Sequence, residues 1–347
     1  MESWSVGVLE KKKPSLRYRS ITSILYHSDA IMLAMTHQSD ETPLVPELKL
    51  IAGVRVKVAE PLARHTSMKV GGPADLFIEV DKQSAIASVL RTLNRYRTDF
   101  CLLGNGSNVL VSDRGVRGAV IHLAGEFKRI EWSSEGEIAL IRVGAAYPVT
   151  RLVREAARKG YSGLEFAEGI PGTLGGALFM NAGAYGSEFE KIIEQVEGFT
   201  REGEPIGLAR KEMTFSYRNS HLPKGMVIAE VTLRLCREDS ARVSTRVREL
   251  VARRKAGQPS GYPNSGSMFR NPPGDFAGRL IEAAGLKGKT LGRAQISQRH
   301  ANFIVNLGRA KAEDIRELME LARAGVKERF GIELEPEVRW LGEWPVQ

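Results

Sequence analysis

A chain of 347 residues, 42% hydrophobic and 26% charged, is long enough for two or three packed domains, and its composition excludes fibrous and disorder-dominated classes. The net charge of +9 comes from scattered lysines and arginines with no zinc-finger, RNP or basic-zipper pattern, so it favours a small anionic substrate over nucleic acid. The two cysteines, Cys101 and Cys236, lie in apolar strand-like runs, which excludes a disulfide framework and a cysteine metal site and fits a reducing cytoplasm; no apolar run of roughly 18 residues marks a membrane span.

Residues 1–45 read as a disordered leader, or as the product of a start placed too early, since Met32 or Met35 could also begin the protein. After a stretch of mixed apolar character comes HTSMKVGGPADLFIEV, in which Gly71, Gly72 and Pro73 turn the chain and 75–80 alternates as a strand. Asp81 is expected to cap a helix with Ile86, Val89, Leu90 and Leu93 on one face. A strand at 100–103 runs into Gly104, Asn105, Gly106, Ser107 and Asn108 and out into a strand at 109–111. A Rossmann fingerprint needs a helix there, so this is a strand-turn-strand loop whose amides and short polar side chains suit a pyrophosphate or a plain turn. Further strands are expected at 119–123 and 138–143, then a helix over 150–159 capped by Thr150 and stopped by Gly160.

Residues 163–186, GLEFAEGIPGTLGGALFMNAGAYG, place glycines at 163, 169, 172, 175, 176, 183 and 186 among apolar residues. Glycines leave backbone amides accessible to a bulky anion, although such clusters also serve tight turns. Strands near 192–199 and 227–235 bracket FSYRNSHL, which carries Arg218. A helix over 243–255 opens the downstream part and is followed by a Gly, Pro and Ser-rich stretch. Then come GSMFRNP, a helix over 277–284, the strand-like HANFIVN, a helix over 312–330 and the extended LEPEVRWLG with Glu337 and Arg339 on one face.

Together HTSMKVGGPADLF, LGNGSNVLVSD, the 163–186 stretch, FSYRNS, GSMFRNP, AGLKG and LEPEVR, in this order, closely resemble the UDP-N-acetylenolpyruvoylglucosamine reductases, flavoenzymes of bacterial peptidoglycan synthesis; the resemblance runs over about 47–342. It implies an α+β protein with an FAD-binding domain of the vanillyl-alcohol-oxidase (PCMH) type, made of two α/β subdomains, and a C-terminal α+β substrate domain. The expected boundaries are 46–238 for the first, in halves of about 46–111 and 112–238, and 239–347 for the second. The last strand, about 333–342, returns towards the active site.

The resemblance further implies non-covalent FAD held by Gly104, Asn105, Gly106, Ser107, Asn108, Ile170, Pro171, Gly172, Thr173, Gly175, Gly176, Asn181, Ala182 and Gly183. NADPH is the co-substrate and an enolpyruvyl nucleotide sugar the substrate. Hydride adds to the terminal carbon of the enol ether, and the negative charge that develops beside the carboxylate must be held and quenched. Arg218 matches the family's carboxylate-holding arginine, Ser267 its proton donor, and Glu337 the residue that polarises the carboxylate or supports proton delivery. Tyr185, Lys255, Arg270, Asn271 and Arg339 match substrate positions. His300 stands where some members carry glutamine, and a structural histidine is the alternative. Without the resemblance, Arg218 would read as a surface ion pair, Ser267 as a turn former and Glu337 as a solvated strand residue. No tyrosine-bearing lid follows the FSYRNS motif, so the chain resembles the shorter branch of the family. A monomer is expected, with no metal and no nucleic acid. The alternatives are an FAD oxidase of the same fold, with His65 as a candidate tether, and a non-catalytic nucleotide-sugar sensor.

Overall fold

The computed structural model describes residues 43–344. Residues 1–42 of the expected leader lie outside the described residues. A helix, Leu44–Leu50, already occupies the end of the expected leader, with Leu44 and Leu48 buried.

The alternation after the Gly-Gly-Pro turn produces the strand Pro73–Val80. Leu76, Ile78 and Val80 enter one core, while Phe77 enters the core on the opposite face of the sheet. This strand pairs antiparallel with Val54–Pro61 and parallel with Val116–Leu123, which pairs parallel with Phe100–Leu102. The helix Gln83–Arg95 packs Ile86, Val89, Leu90 and Leu93 on it, as expected. Asp81 does not cap that helix. Its carboxylate pairs with Arg55, and the amide of Gln83 donates instead to Glu126 Oε2 at 3.0 Å. The strand Val54–Pro61 shows no clear alternation, because it is an edge strand with a mostly solvated face, and Ala59, at φ 51°, drops out of the pairing without shifting the register.

A second, antiparallel sheet runs in the order Pro205–Ala209, Ile193–Phe199, Val227–Arg237, Ile138–Gly144 and Ile130–Glu135, with Tyr161–Ser162 joining the end of Val227–Arg237. The helix Val149–Lys159 buries Leu152, Val153 and Ala156 against it and ends at Gly160, φ 74°. Thr150 is not its cap. The helix starts one residue earlier because the Val149 amide finds a tertiary acceptor, Gly172 O, at 3.1 Å. The helix Ser240–Gly257 also starts earlier than expected, since Asp239 accepts the Arg242 amide at 2.9 Å. Expected to open the substrate domain, this helix instead contributes Val243 and Val247 to the core of the second sheet. Arg299 reaches the carbonyls of Lys255 and Ala256 at its C-terminal end.

Downstream, the short strands Thr290–Leu291, Ala294–Ile296 and Ile304–Asn306 carry the helices Ala277–Ala283 and Ala312–Phe330. The strand expected across HANFIVN is confined to Ile304–Asn306, because His300 Nδ1 accepts the Asn302 amide at 3.2 Å and turns the chain before it. Two ties join this part to the first sheet's loops. Arg339–Leu341 pairs parallel with Val109–Val111, and the Asp113 carboxylate accepts the amides of Ala312 at 3.0 Å and Glu313 at 3.1 Å. The strands on either side of residues 104–108 therefore belong to different sheets, and the loop between them is a crossover rather than a hairpin turn.

Candidate active site

The crossover loop and the glycine-rich stretch lie face to face. A Cβ on Gly104 would stand 2.6 Å from Thr173 Oγ1, and one on Gly172, at φ +124°, would stand 2.8 Å from Ser107 Oγ. Ser107 Oγ donates to Pro171 O at 2.9 Å, which ties the two segments together. Among the described residues, no protein acceptor takes the amides of Gly104, Asn105, Gly106, Ser107 or Asn108, nor those of Gly172 or Thr173. A short crossover has no strand partner to absorb these donors, so they stay available to an anion. A cradle that side chains would fill, edged by unpaired donors, fits the pyrophosphate of FAD.

Behind this cradle, Thr173 accepts the Gly176 amide at 3.4 Å, Gly175 packs on Ala145, and Ile170 packs against the second-sheet core. Asn181 is 0% exposed, and its side chain is spent inside the protein. It donates to Glu188 at 2.8 Å and Ser216 O at 3.3 Å and accepts the Glu190 amide at 3.1 Å. Ala182 donates its amide to Ala177 O, and Gly183 gives Glu188 the room to approach. These three residues shape the wall and, through Ser216, fix the next loop.

That loop is a tight turn closed by reciprocal Ser216 and Asn219 backbone bonds, with Arg218 at φ 60°. A non-glycine residue in the left-handed region costs about 1–3 kcal/mol and recurs at functional sites. Here it aims the guanidinium at Glu337: Arg218 Nε donates to Glu337 Oε1 at 2.7 Å, with the side chains 18% and 15% exposed. Tyr217 lies under the same guanidinium, its ring centroid at 4.8 Å. Burial raises the Glu337 pKa above the ordinary glutamate value, against the pull of Arg218. The carboxylate therefore takes up a proton, and the ion pair is lost, as pH falls through that raised value. Product formation should show an acid-side inflection above the usual glutamate range, about 4.3. A pH–rate profile of Glu337→Gln should lack it; an unchanged inflection would assign it to another group.

Ser267 forms a bridge with Phe303, and the next residue, Met268, accepts the Glu337 amide at 2.8 Å, so the serine segment lies directly beside the glutamate segment. Asn108 joins the cradle to the same segment: its side chain donates to Glu337 O at 3.2 Å and its carbonyl accepts the Arg339 amide at 3.0 Å. Arg270 is held by Glu335 at 3.4 Å, and its buried Nε has no partner. Arg339 lies over the Phe179 ring at 5.5 Å and has no carboxylate partner among the described residues. Burial first, and the charge of Arg270 second, lower its pKa. Two neighbouring cations, of which one is paired with a carboxylate and the other, among the described residues, is not, suit an anionic substrate.

The remaining predicted substrate residues are placed otherwise. Tyr185 is 43% exposed, donates to Leu250 O at 3.4 Å and carries Arg253 over its ring. Lys255 stands exposed near the end of the helix Ser240–Gly257. Asn271 Oδ1 accepts the Ala277 amide at 3.1 Å and so starts a helix. His300 packs edge-on to Phe303 and against Gly278, and burial lowers its pKa, a placement that suits the structural alternative. Ser67, Asn302 and Asn306 went unmarked by sequence reasoning. All three are short polar residues whose side chains donate across loops distant in sequence, contacts that no local pattern reveals, although Asn306 also accepts the nearby amides of Gly308 and Ala310.

An amide-lined cradle between two sheets, with an arginine–glutamate pair and a serine beside it, defines a flavin-dependent oxidoreductase, and residues 74–208 match the family model described as FAD binding domain. Residues 258–341 match the model described as UDP-N-acetylenolpyruvoylglucosamine reductase, C-terminal domain. The chain is 45% identical over 292 residues to UDP-N-acetylenolpyruvoylglucosamine reductase 2 of Symbiobacterium thermophilum, covering 84% of this chain and 94% of that one. It is 45% identical over 289 residues to the Rubrobacter xylanophilus reductase, covering 83% and 95%. The crystal structure of the Thermus caldophilus reductase superposes with a TM-score of 0.72 at 40% identity, covering 83% of this chain and 99% of that one. The chain belongs to the UDP-N-acetylenolpyruvoylglucosamine reductase family.

Proposed function

We propose that this protein reduces the enolpyruvyl ether of UDP-N-acetyl-3-O-(1-carboxyvinyl)-glucosamine to UDP-N-acetylmuramate, with NADPH as reductant, as its family membership supports. The observation that carries the reading at the level of residues is the part-buried Arg218–Glu337 pair next to the Ser267 segment and the amide-lined cradle. FAD, when bound, would supply hydride transfer from NADPH to the substrate. The amides of residues 104–108 and 172–173 would hold its pyrophosphate. Arg218 holds the substrate carboxylate and the charge that spreads into it, Glu337 fixes the guanidinium, and Ser267 gives its hydroxyl proton to the carbon beside the carboxylate. Arg270 and Arg339 take the remaining negative charge of the nucleotide sugar.

A substrate domain beginning after Gly257 accounts for the packing better than one beginning at 239, since the helix Ser240–Gly257 belongs to the second-sheet core. A cytoplasmic monomer accords with this role. Among the described residues no helix is long and apolar enough to cross a membrane. The oxidase alternative is not favoured by the family matches, and its tether candidate His65 is braced instead by a 2.8 Å bond from Nε2 to Glu60 and by stacking on Phe77 at 4.1 Å.

The test is optical. Purified protein should be yellow, bleach with NADPH, and regain colour anaerobically only when the nucleotide sugar is added. A protein that bleaches but is not reoxidised would remove the substrate assignment, and flavin retained on the denatured chain would favour the oxidase.

A further inference from the structure

We propose that Ser67 is a positioning residue that locks the Ser267 loop to the cofactor loop, setting the distance between proton donor and flavin. The inference rests on the reading of Ser267 as proton donor. Ser67 spends both its donors across two loops. Its amide donates to Gly106 O at 3.0 Å, and its hydroxyl lies 2.7 Å from Asn264 O and 3.2 Å from Gly106 O. One hydroxyl carries one proton, so the shorter contact takes it. Gly106 belongs to the run of unpaired amides, and Asn264 opens the turn that ends in Ser267.

That turn has few restraints of its own. Asn264 accepts the Gly266 amide at 3.2 Å and donates to Tyr262 O at 3.0 Å, Gly266 sits at φ 79°, and the buried Ser265 hydroxyl has no partner. Ser67, by contrast, stands on a pinned segment. Met68 and Val70 are buried in the C-terminal core, and Thr66 Oγ1 donates to Val70 O at 2.8 Å. A second tie guards the start of the turn, where Asn306 donates its side chain to Met68 O and its amide to Pro263 O, each at 2.9 Å. Removing the Ser67 hydroxyl would leave the segment anchored and the Gly106 contact intact, and would free only the side of the turn that leads to Ser267.

The experiment compares wild type, Ser67→Ala, Ser67→Thr, Ser267→Ala and Ser67→Ala/Ser267→Ala in the two half-reactions by stopped flow, with FAD titration of the apoproteins and hydrogen exchange over 262–268. For Ser67→Ala, FAD affinity and the rate of bleaching by NADPH should stay within about threefold of wild type. Reoxidation by the nucleotide sugar should slow about tenfold, and exchange over 262–268 should quicken; a tenfold change is the order one lost hydrogen bond supplies. Threonine should restore most of the rate. In the Ser267→Ala background the same change should add no further slowing. Equal slowing of both half-reactions, no slowing of either, loss of FAD, or additivity with Ser267→Ala would each overturn the inference. Failure of wild type to be reoxidised would instead sink the functional reading on which it rests.

Discussion

Ser267→Ala is expected to keep its yellow colour and its rate of bleaching by NADPH, while reoxidation by the nucleotide sugar falls by roughly 10²–10⁴-fold, the usual worth of a positioned general acid. The serine is a weak acid in water, so the role depends on its surroundings. Its segment is held on one side by Phe303 and on the other by the Met268 carbonyl that accepts the Glu337 amide. Beside it, Arg218 and Glu337 are more than four-fifths buried, which limits competition from water for the developing charge. The substitution removes one hydroxyl from a partly exposed side chain that makes no structural hydrogen bond among the described residues, so folding and FAD content should not change. Single-turnover traces separate the two steps. Undiminished reoxidation would show that the proton comes from elsewhere.

Gly172→Ala should cost the protein its flavin. The residue sits at φ +124°, a region that L side chains rarely adopt, and its added methyl would meet Ser107 Oγ at 2.8 Å, forcing that hydroxyl off Pro171 O. Backbone strain of about 1–3 kcal/mol in the free cradle, together with the displaced loop, translates into FAD affinity weaker by about 10- to 100-fold. Gly186→Ala is the control. Its φ of +80° imposes strain too, but nothing lies within 4 Å of the new Cβ, so apoprotein titration should show affinity within about threefold of wild type. Equal losses in both variants would mean that general destabilisation, not the cradle, is responsible.

Much of this protein could be read without coordinates. Local pattern placed the helices Gln83–Arg95, Val149–Lys159 and Ala312–Phe330, because each presents apolar residues at helical spacing to one core. The motifs carrying the cofactor loops and Arg218, Ser267 and Glu337 were equally visible, since each depends on residue type within a short window. Helix starts were less legible. Asp81 and Thr150 are good capping residues, yet Glu126 serves the first helix and Gly172 O receives the Val149 amide of the second, both from elsewhere in the chain.

The sequence by itself determined which residues are available for the proposed chemistry: a hydroxyl, a guanidinium, a carboxylate, and glycines that leave amides bare. Only the tertiary structure decided which of them work together. The partnership of Arg218 with Glu337 spans more than a hundred residues, as does that of Ser67 with Asn264; the strand Arg339–Leu341, paired with Val109–Val111, carries Glu337 alongside Arg218 in the first, and Asn306, bonded to Met68 and Pro263, ties the segments of the second. The same packing gave Asn181, Asn271 and His300 hydrogen bonds inside the protein. A polar side chain has few hydrogen-bonding sites, and whether they face a ligand or a neighbouring backbone is settled by which elements lie alongside it.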